Sequence, residues 1–301
     1  MRRTLLIFVD GLGIGTRGAH NPLDRLGHTA TTPLAIFTNE DPQLPHDGRL
    51  ARTDACLGVE GRPQSASGQT TILTGINAPA LLGYHKQGFP NADMREIIRE
   101  HSIFLQLRRA GIEPNTFANA YTPRFFQTRP RWVSATTVAV EAAGMPFRRL
   151  EDLQRGEAVY QDFTNELVIE AGFDVPRRTP AEAAGALAAL VAAHRFTLYE
   201  YFITDRVGHA QDMDGALSVI SNLAAFVRAV LKRVDLTETT VIITSDHGNL
   251  EDLSIRNHTR NFVPTLAWGA RRADVQRRVR TLADITPAII ETLTATEATH
   301  A

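Results

Sequence analysis

Apolar and polar positions fall into two rhythms along the chain. Four runs are almost continuously apolar and rich in β-branched residues, residues 4–9, 197–203, 240–244 and 262–268, which predicts strands of a parallel sheet buried on both faces. Between them the period changes. Residues 181–194 are alanine-rich and follow Thr179-Pro180, an N-cap and first-turn pair; residues 215–233 repeat apolar positions at helical spacing; and Thr286-Pro287 opens a last helix through Leu293. Residues 101–110 read as a further helix and 116–121 as a further core strand. This alternation predicts an α/β fold: a doubly wound, mostly parallel sheet flanked by helices.

From Thr122 to Arg178 the rhythm breaks into arginine-rich pieces punctuated by proline and glycine, with one helical stretch at 135–143. We read 122–178 as a small lid inserted over the sheet edge and 1–121 with 179–301 as the core. Residues 38–48, with two prolines, read as a surface loop. No internal repeat or low-complexity tract stands out.

Composition narrows the class. Of 301 residues 43% are apolar and 22% charged, which excludes disorder, collagen-like repetition and a coiled coil. The 32 basic and 33 acidic side chains leave a net charge of -1, against a broad nucleic-acid footprint. Nearly all the basic residues are arginine, with Lys86 and Lys232 the only lysines. Cys56 is the single cysteine, so no internal disulfide or cysteine-rich zinc site can form and a reducing cytoplasm is the expected home. The apolar run 5–9 is cut by Asp10 before it reaches signal-peptide length, and no other uninterrupted apolar segment approaches the roughly 18 residues of a membrane span. The expected partner is therefore a small molecule; oligomeric state is not legible.

Three of the four predicted strands run into an aspartate: Asp10, Asp205 and Asp246. In a parallel sheet these positions share the carboxyl edge, where open α/β folds place their ligands. Three carboxylates crowded there cost several kcal/mol unless protons or cations compensate. His209 follows Asp205 by four residues, His247 adjoins Asp246, and His258 precedes the fourth strand. A lone aspartate after a strand is most often a cap or turn former; six such residues in order are not so easily dismissed. Mixed oxygen and imidazole donors suit zinc or manganese, and six are enough for two ions roughly 4 Å apart, the arrangement of metal-assisted phosphoryl transfer. A hydroxyl nucleophile is available in Gly61-Arg-Pro-Gln-Ser-Ala-Ser-Gly-Gln-Thr70, small and polar residues leading into a helix start where an anion is favoured.

Asp10-Gly-Leu-Gly, the Gly-Arg-Pro-Gln…Gly-Gln-Thr70 loop, Thr204-Asp-Arg-Val-Gly-His209, Ser245-Asp-His-Gly-Asn249 and Asn257-His-Thr-Arg-Asn-Phe-Val-Pro264 together resemble the motifs of the alkaline phosphatase superfamily. The likeness is greatest to its cofactor-independent phosphoglycerate mutase and phosphopentomutase branch. It spans both ends of the chain and says little about 122–178. The resemblance implies an alkaline-phosphatase-like fold in which Asp205, His209 and His258 hold one divalent ion, Mn2+ or Zn2+, and Asp10, Asp246 and His247 the other. It also implies that Thr70 is the metal-bound nucleophile, with Ser67 and Ser65 as rivals if the loop is shifted by a turn. Sulfatase-type relatives use a Cys/Ser-x-Pro-x-Arg context, which is absent.

The expected activity is phosphoryl transfer from a small phosphomonoester through a phospho-threonine. Hydrolysis is expected rather than mutase chemistry, because the phosphoglycerate mutases of this branch carry a large second domain for which 122–178 is too short. A phosphomutase and a catalytically silent metal-binding module are the alternatives. Arg124, Arg129 and Arg131 in the lid, and Lys86, are candidates for reading substrate phosphate. Asn249 reads as structural, Asp284 as a helix-start residue and Cys56 as a small buried hydrophobe.

Overall fold

The computed structural model describes residues 1–26 and 33–294. Eight strands run through it: β1 (Arg3–Val9), β2 (Arg49–Thr53), β3 (Asn115–Phe117), β4 (Ala120–Tyr121), β5 (Arg148–Arg149), β6 (Phe196–Tyr201), β7 (Thr239–Thr244) and β8 (Val263–Gly269). Six form one sheet in the order β2-β8-β7-β1-β6-β3, and β4 pairs with β5 alone.

The centre of the sheet is parallel, with β1 hydrogen-bonded to β6 and β7 and β3 to β6. Side chains alternate across it as the pleat requires. Leu5, Ile7 and Val9 join the core beneath the helices Pro180–Ala193 and Met213–Arg233. Leu6 and Phe8 join the opposite core beneath Ser65–Thr74, Ile103–Arg109, Ala135–Ala142 and Ile285–Thr294. Burial on both faces is why β1 reads as an unbroken apolar run.

One strand corrects the sequence reading. β8 is antiparallel to β7, and β2 pairs antiparallel to β8. The sheet is mixed, parallel at its centre, and the fourth apolar run is not a parallel strand. This reversal has a consequence for chemistry, since the loop entering β8 then lies at the same edge as the carboxyl ends of β1 and β7. In a parallel strand that loop would lie at the far edge. The second run is also shorter than expected: β6 stops at Tyr201, and Ile203 opens the helix Ile203–Ala210. The expected helix at 101–110 is two, Ala92–His101 and Ile103–Arg109, which meet at Ser102.

The span 122–178 divides in two. Ala135–Ala142 places Ala135, Val138, Ala139 and Val140 in the main core beside Leu6 and Phe8. Residues from Leu153 to Val175 make a separate small cluster with Ala120 at the sheet edge. Among the described residues one helix, Met213–Arg233, is long and apolar enough by composition to cross a membrane. Its buried residues, Ala216, Ile220, Leu223, Val227 and Val230, recur at three and four and pack into the core.

Candidate metal centre and its cleft

Three loops and two helix ends converge at the carboxyl edge of β1, β6 and β7. Asp10 follows β1 directly, and the chain then turns through Gly11 at φ +69°. A Cβ at Gly11 would fall 2.7 Å from Asp205 Oδ1, so only glycine permits both the turn and this approach. The Thr204 hydroxyl donates to the Asp10 carbonyl at 2.5 Å. Ser245 Oγ accepts from Leu12 N at 2.9 Å and donates to the His247 carbonyl at 3.0 Å, tying the β1 and β7 loops together. Asp205 and His209 lie four apart in Ile203–Ala210, hence on one helical face.

The imidazoles present Nε2 to the centre. His209 Nε2 lies 3.3 Å from Asp205 Oδ2, and His258 Nε2 lies 3.2 Å from His209 Nε2 and 3.7 Å from Asp205 Oδ1. His247 Nε2 lies 3.3 Å from Asp10 Oδ1 and 3.6 Å from Asp246 Oδ2. Nδ1 of His258 donates to the Pro63 carbonyl at 2.9 Å and Nδ1 of His209 to the Arg256 carbonyl at 2.8 Å. Those bonds set the tautomer that leaves Nε2 an inward lone pair, as metal-binding histidines require.

Two donor sets result, Asp205 with His209 and His258, and Asp10 with Asp205 and His247, each within 4.8 Å. Asp205 therefore bridges both. Asp246 stands at the edge of the second, its Oδ2 accepting from Gln69 Nε2 at 3.2 Å.

The electrostatics are those of a site short of positive charge. Burial, then the charges of Asp246 and Asp205, holds the Asp10 carboxyl well above the usual carboxylate range. Burial and the Asp205 charge raise Asp246. Burial, then the charge of His258, pushes His247 down to about 3, leaving it neutral. Asp10 Oδ1 is buried without a hydrogen-bond partner. A neutral His247, crowded carboxyls and an unpartnered carboxylate oxygen are what divalent cations would satisfy.

The hydroxyls sort themselves by helical position. The helix Ser65–Thr74 starts at Ser65, whose Oγ lies 3.0 Å from His247 Nε2. Thr70 lies more than a turn further along, fully buried, and its hydroxyl donates to the Ala66 carbonyl at 2.7 Å. Thr70 is thus closed off within its own helix, which corrects its expected place among the metal ligands. Ser67 is held by Lys86, whose N donates to Ser67 Oγ at 3.1 Å. Gly68 lets this helix reach the site, since a Cβ there would meet Asp246 Cβ at 2.9 Å.

A cleft of about 700 Å3 opens over the centre, lined among others by Arg62, Gln64, Ser65, Gln87, Asp205 and His258. The arginines of 122–178 expected to read phosphate do not line it. Arg124 is exposed on Pro123–Gln127, Arg129 pairs with Glu141, and Arg131 lies 5.1 Å from the Trp132 ring. Lys86 Nζ donates to the neighbouring Gln87 carbonyl. Arg62 is the cationic side chain at the cleft, and only its place just before Ser65 hints at it in the sequence. Asp284 does cap a helix start, accepting from Thr281 N at 2.9 Å. Cys56 is half-buried rather than buried, its thiol directed to the Arg260 carbonyl.

Two residues around the ligands were not legible as such. Asn249 Nδ2 donates to Asp205 Oδ1 at 2.7 Å and so orients the bridging carboxylate. Glu251 is 1% exposed and gathers all three ligand loops. It accepts from Gly13 N at 3.0 Å, Asn249 N at 2.8 Å, Asn261 Nδ2 at 3.0 Å and the Thr259 hydroxyl. An acid two residues beyond Asn249 was the available signal.

Comparison with known proteins finds similar sequences and folds. The family model described as Metalloenzyme superfamily matches residues 160–297, which carry Asp205, His209, Asp246, His247 and His258. The 2,3-bisphosphoglycerate-independent phosphoglycerate mutase of Desulforudis audaxviator is 27% identical over 124 residues, 39% of this chain and 24% of its own. That of Microcystis aeruginosa is 29% identical over 157 residues, 46% of this chain and 30% of its own. The structure of PH0037 from Pyrococcus horikoshii aligns with a TM-score of 0.56 at 17% identity, covering 100% of this chain and 99% of that one. The alkaline phosphatase of the Antarctic bacterium TAB5 aligns at 0.51 and 13% identity, covering 98% of both. Over its C-terminal part the chain is similar to the metalloenzyme superfamily, and its fold is that of the alkaline phosphatases. The mutases are what part of its sequence is similar to, and the chain spans only about a quarter of the first mutase's length, 24%. A metalloenzyme of this superfamily is expected to bind divalent ions, and the donor sets described above fit that requirement.

Proposed function

We propose that the protein transfers a phosphoryl group from a small phosphomonoester, with Ser65 as nucleophile and two divalent ions, Mn2+ or Zn2+, in the two donor sets. The observation that carries the reading is Ser65 Oγ at 3.0 Å from His247 Nε2, at the first turn of a helix and on the cleft wall.

Asp205, His209 and His258 would hold one ion, and Asp10 and His247, with Asp205 shared between the two sets and Asp246 and Ser65 at the edge, the other. When bound, such ions lower the pKa of a coordinated hydroxyl or water and offset charge on the phosphoryl oxygens. The chain supplies the rest. Gln64 at the N-cap makes no side-chain capping bond and the Ser67 amide is taken by the Lys86 carbonyl at 3.2 Å, so the Ser65 and Ala66 amides and the helix dipole are what favour the phosphoryl anion. Arg62 adds a cation at the cleft. Ser65 Oγ releases its proton and bonds phosphorus as the ester P–O bond breaks, its electron pair leaving with the alcohol oxygen, which takes up a proton. Water then attacks the phosphoserine, releasing phosphate and restoring the hydroxyl. We favour hydrolysis over transfer back to the alcohol because the cleft is open to solvent.

The test is a labelling experiment. Metal-loaded protein given a radiolabelled phosphomonoester should trap label on Ser65 after acid quench, and Ser65→Ala should lose both label and turnover. Thr70→Val should keep both. Label retained in Ser65→Ala would overturn the assignment, and an isomerised ester with no inorganic phosphate would favour a mutase.

A further inference from the structure

Seven of the chain's aromatic residues (14 Phe, 5 Tyr and 2 Trp in all) line a single cavity of about 360 Å3 beside the cleft. Phe89, Tyr121, Phe125, Trp132 and Phe202 form much of its wall. The two spaces adjoin through the chain itself. Gln87 and Gly88 line the cleft and Phe89 the cavity; Phe202 lines the cavity and Asp205, three residues on, the cleft. Phe89 and Trp132 are 46% and 53% exposed, an unusual outlay of apolar ring in water unless something covers it.

Its polar groups are largely satisfied from within. Tyr121 Oη pairs with Thr137 Oγ1 at 2.8 Å, and Asn119 exchanges bonds of 2.8 and 2.9 Å with the backbone of Glu200. The Glu200 carboxyl, 3% exposed, accepts from the Thr136 hydroxyl. No arginine, lysine or histidine lines the cavity among the described residues. Arg95 and Arg131 lie 6.0 and 5.1 Å from the Trp132 ring without lining it.

We propose that this chamber seats the organic half of the ester and that this half is an uncharged, ring-bearing alcohol. The inference rests on the phosphoryl-transfer reading above. A carboxylate or second phosphate would be desolvated there beside Glu200 with no lining cation, whereas a ring gains both burial and aromatic contacts.

The test has one arm with turnover and one without. With metal-loaded protein, kcat/KM for 2-naphthyl phosphate should exceed those for 3-phosphoglycerate and phosphocholine by about a hundredfold. Phe125→Ala should lower the ratio of naphthyl to methyl phosphate by about tenfold. In metal-free protein 2-naphthol should quench Trp132 fluorescence, with Trp132→Phe identifying the signal against buried Trp268, and Phe125→Ala should weaken that binding about tenfold. Preference for 3-phosphoglycerate or phosphocholine, or an active enzyme that binds no naphthol, overturns the chamber assignment. Naphthol binding by a protein inert toward every ester supports the chamber and instead defeats the phosphoryl-transfer reading.

Discussion

Replacing Glu251 by alanine withdraws one carboxylate from three loops at once. The backbone amides of Gly13 and Asn249 lose their acceptor at 3.0 and 2.8 Å, Asn261 loses a bond of 3.0 Å, and Thr259 must turn its hydroxyl. Two stranded buried amides cost about 1–3 kcal/mol each. Removing a carboxyl whose burial raises its pKa returns part of that cost. The balance is a loss of about 3–4 kcal/mol in folding stability. Glu251→Gln should lose only about 1 kcal/mol, because its carbonyl oxygen can keep Gly13 and Asn249 while its amide donates to Thr259 Oγ1 and the Asn261 amide turns. Urea unfolding of the metal-free protein measures both variants. Calorimetric titration with Mn2+ adds a second readout: Glu251 touches no ion-binding atom, yet the alanine variant should bind metal more weakly because Asp10, His247 and His258 lose their common anchor. An alanine variant within 1 kcal/mol of wild type and with unchanged metal affinity would refute the anchoring argument, and so would a glutamine variant no better than alanine.

Excess Mn2+ or Zn2+ at about a hundred times Kd should stabilise the protein by about 2.7 kcal/mol; Asp205→Asn, which removes the bridging carboxylate, should abolish most of the thermal shift, and an unchanged shift would sink the shared-ligand geometry. Burial, assisted by the Asp246 charge, holds the Glu200 carboxyl up to about 8 against an ordinary 4.5. The folded protein keeps this proton between those values while the unfolded chain gives it up, so wild type loses stability as pH rises through that window, by at most ~1.4 kcal/mol per unit. Glu200→Gln has no such loss. Its advantage over wild type should grow from pH 5 to pH 8 in urea titrations, and a gap independent of pH would count against the shift. Gly68→Ala sets a helix-propensity gain of about 0.5–1 kcal/mol against a Cβ placed 2.9 Å from Asp246 Cβ and 3.0 Å from its carbonyl oxygen. Overpacking costs about 1–3 kcal/mol, so the variant should melt lower; a higher melting temperature would mean the contact relaxes freely.

What could be read from the chain alone follows from which facts are local. Asp10, Asp205, Asp246 and the three histidines each stand beside an apolar run, and a strand end is a place on the sheet edge, so their meeting was legible. The sense of β8 was not, because an apolar run such as Val263–Gly269 reads equally well in either direction. His258 nonetheless arrived at the expected edge, since an error in strand sense is compensated when the ligand precedes the strand instead of following it. The nucleophile turned on a helix start. Taking Thr70 put the hydroxyl mid-helix, where it bonds the Ala66 carbonyl; the ten-residue helix that ends at Thr74, ahead of Gly75 at φ +75°, has Ser65 as its first residue.

Glu251 and the aromatic chamber were harder still, for one reason. A buried acid is recognisable only by the amides around it, and those of Gly13 and Asn249 are 236 residues apart. Likewise Phe89, Trp132 and Phe202 lie far apart in sequence and become neighbours only in the folded cavity. The candidate metal ligands stand a few residues from strands, so local pattern reports them; the groups that anchor them, and those that would choose the substrate, come from segments whose proximity is a product of the fold. The test that separates these layers is the pair Glu251→Ala and Phe125→Ala. The first should weaken metal binding without altering preference among esters, and the second should alter preference while metal affinity stays at the wild-type value. Coupled losses in both variants would mean that anchor and chamber are one unit, contrary to the separate hydrogen-bond networks seen around each.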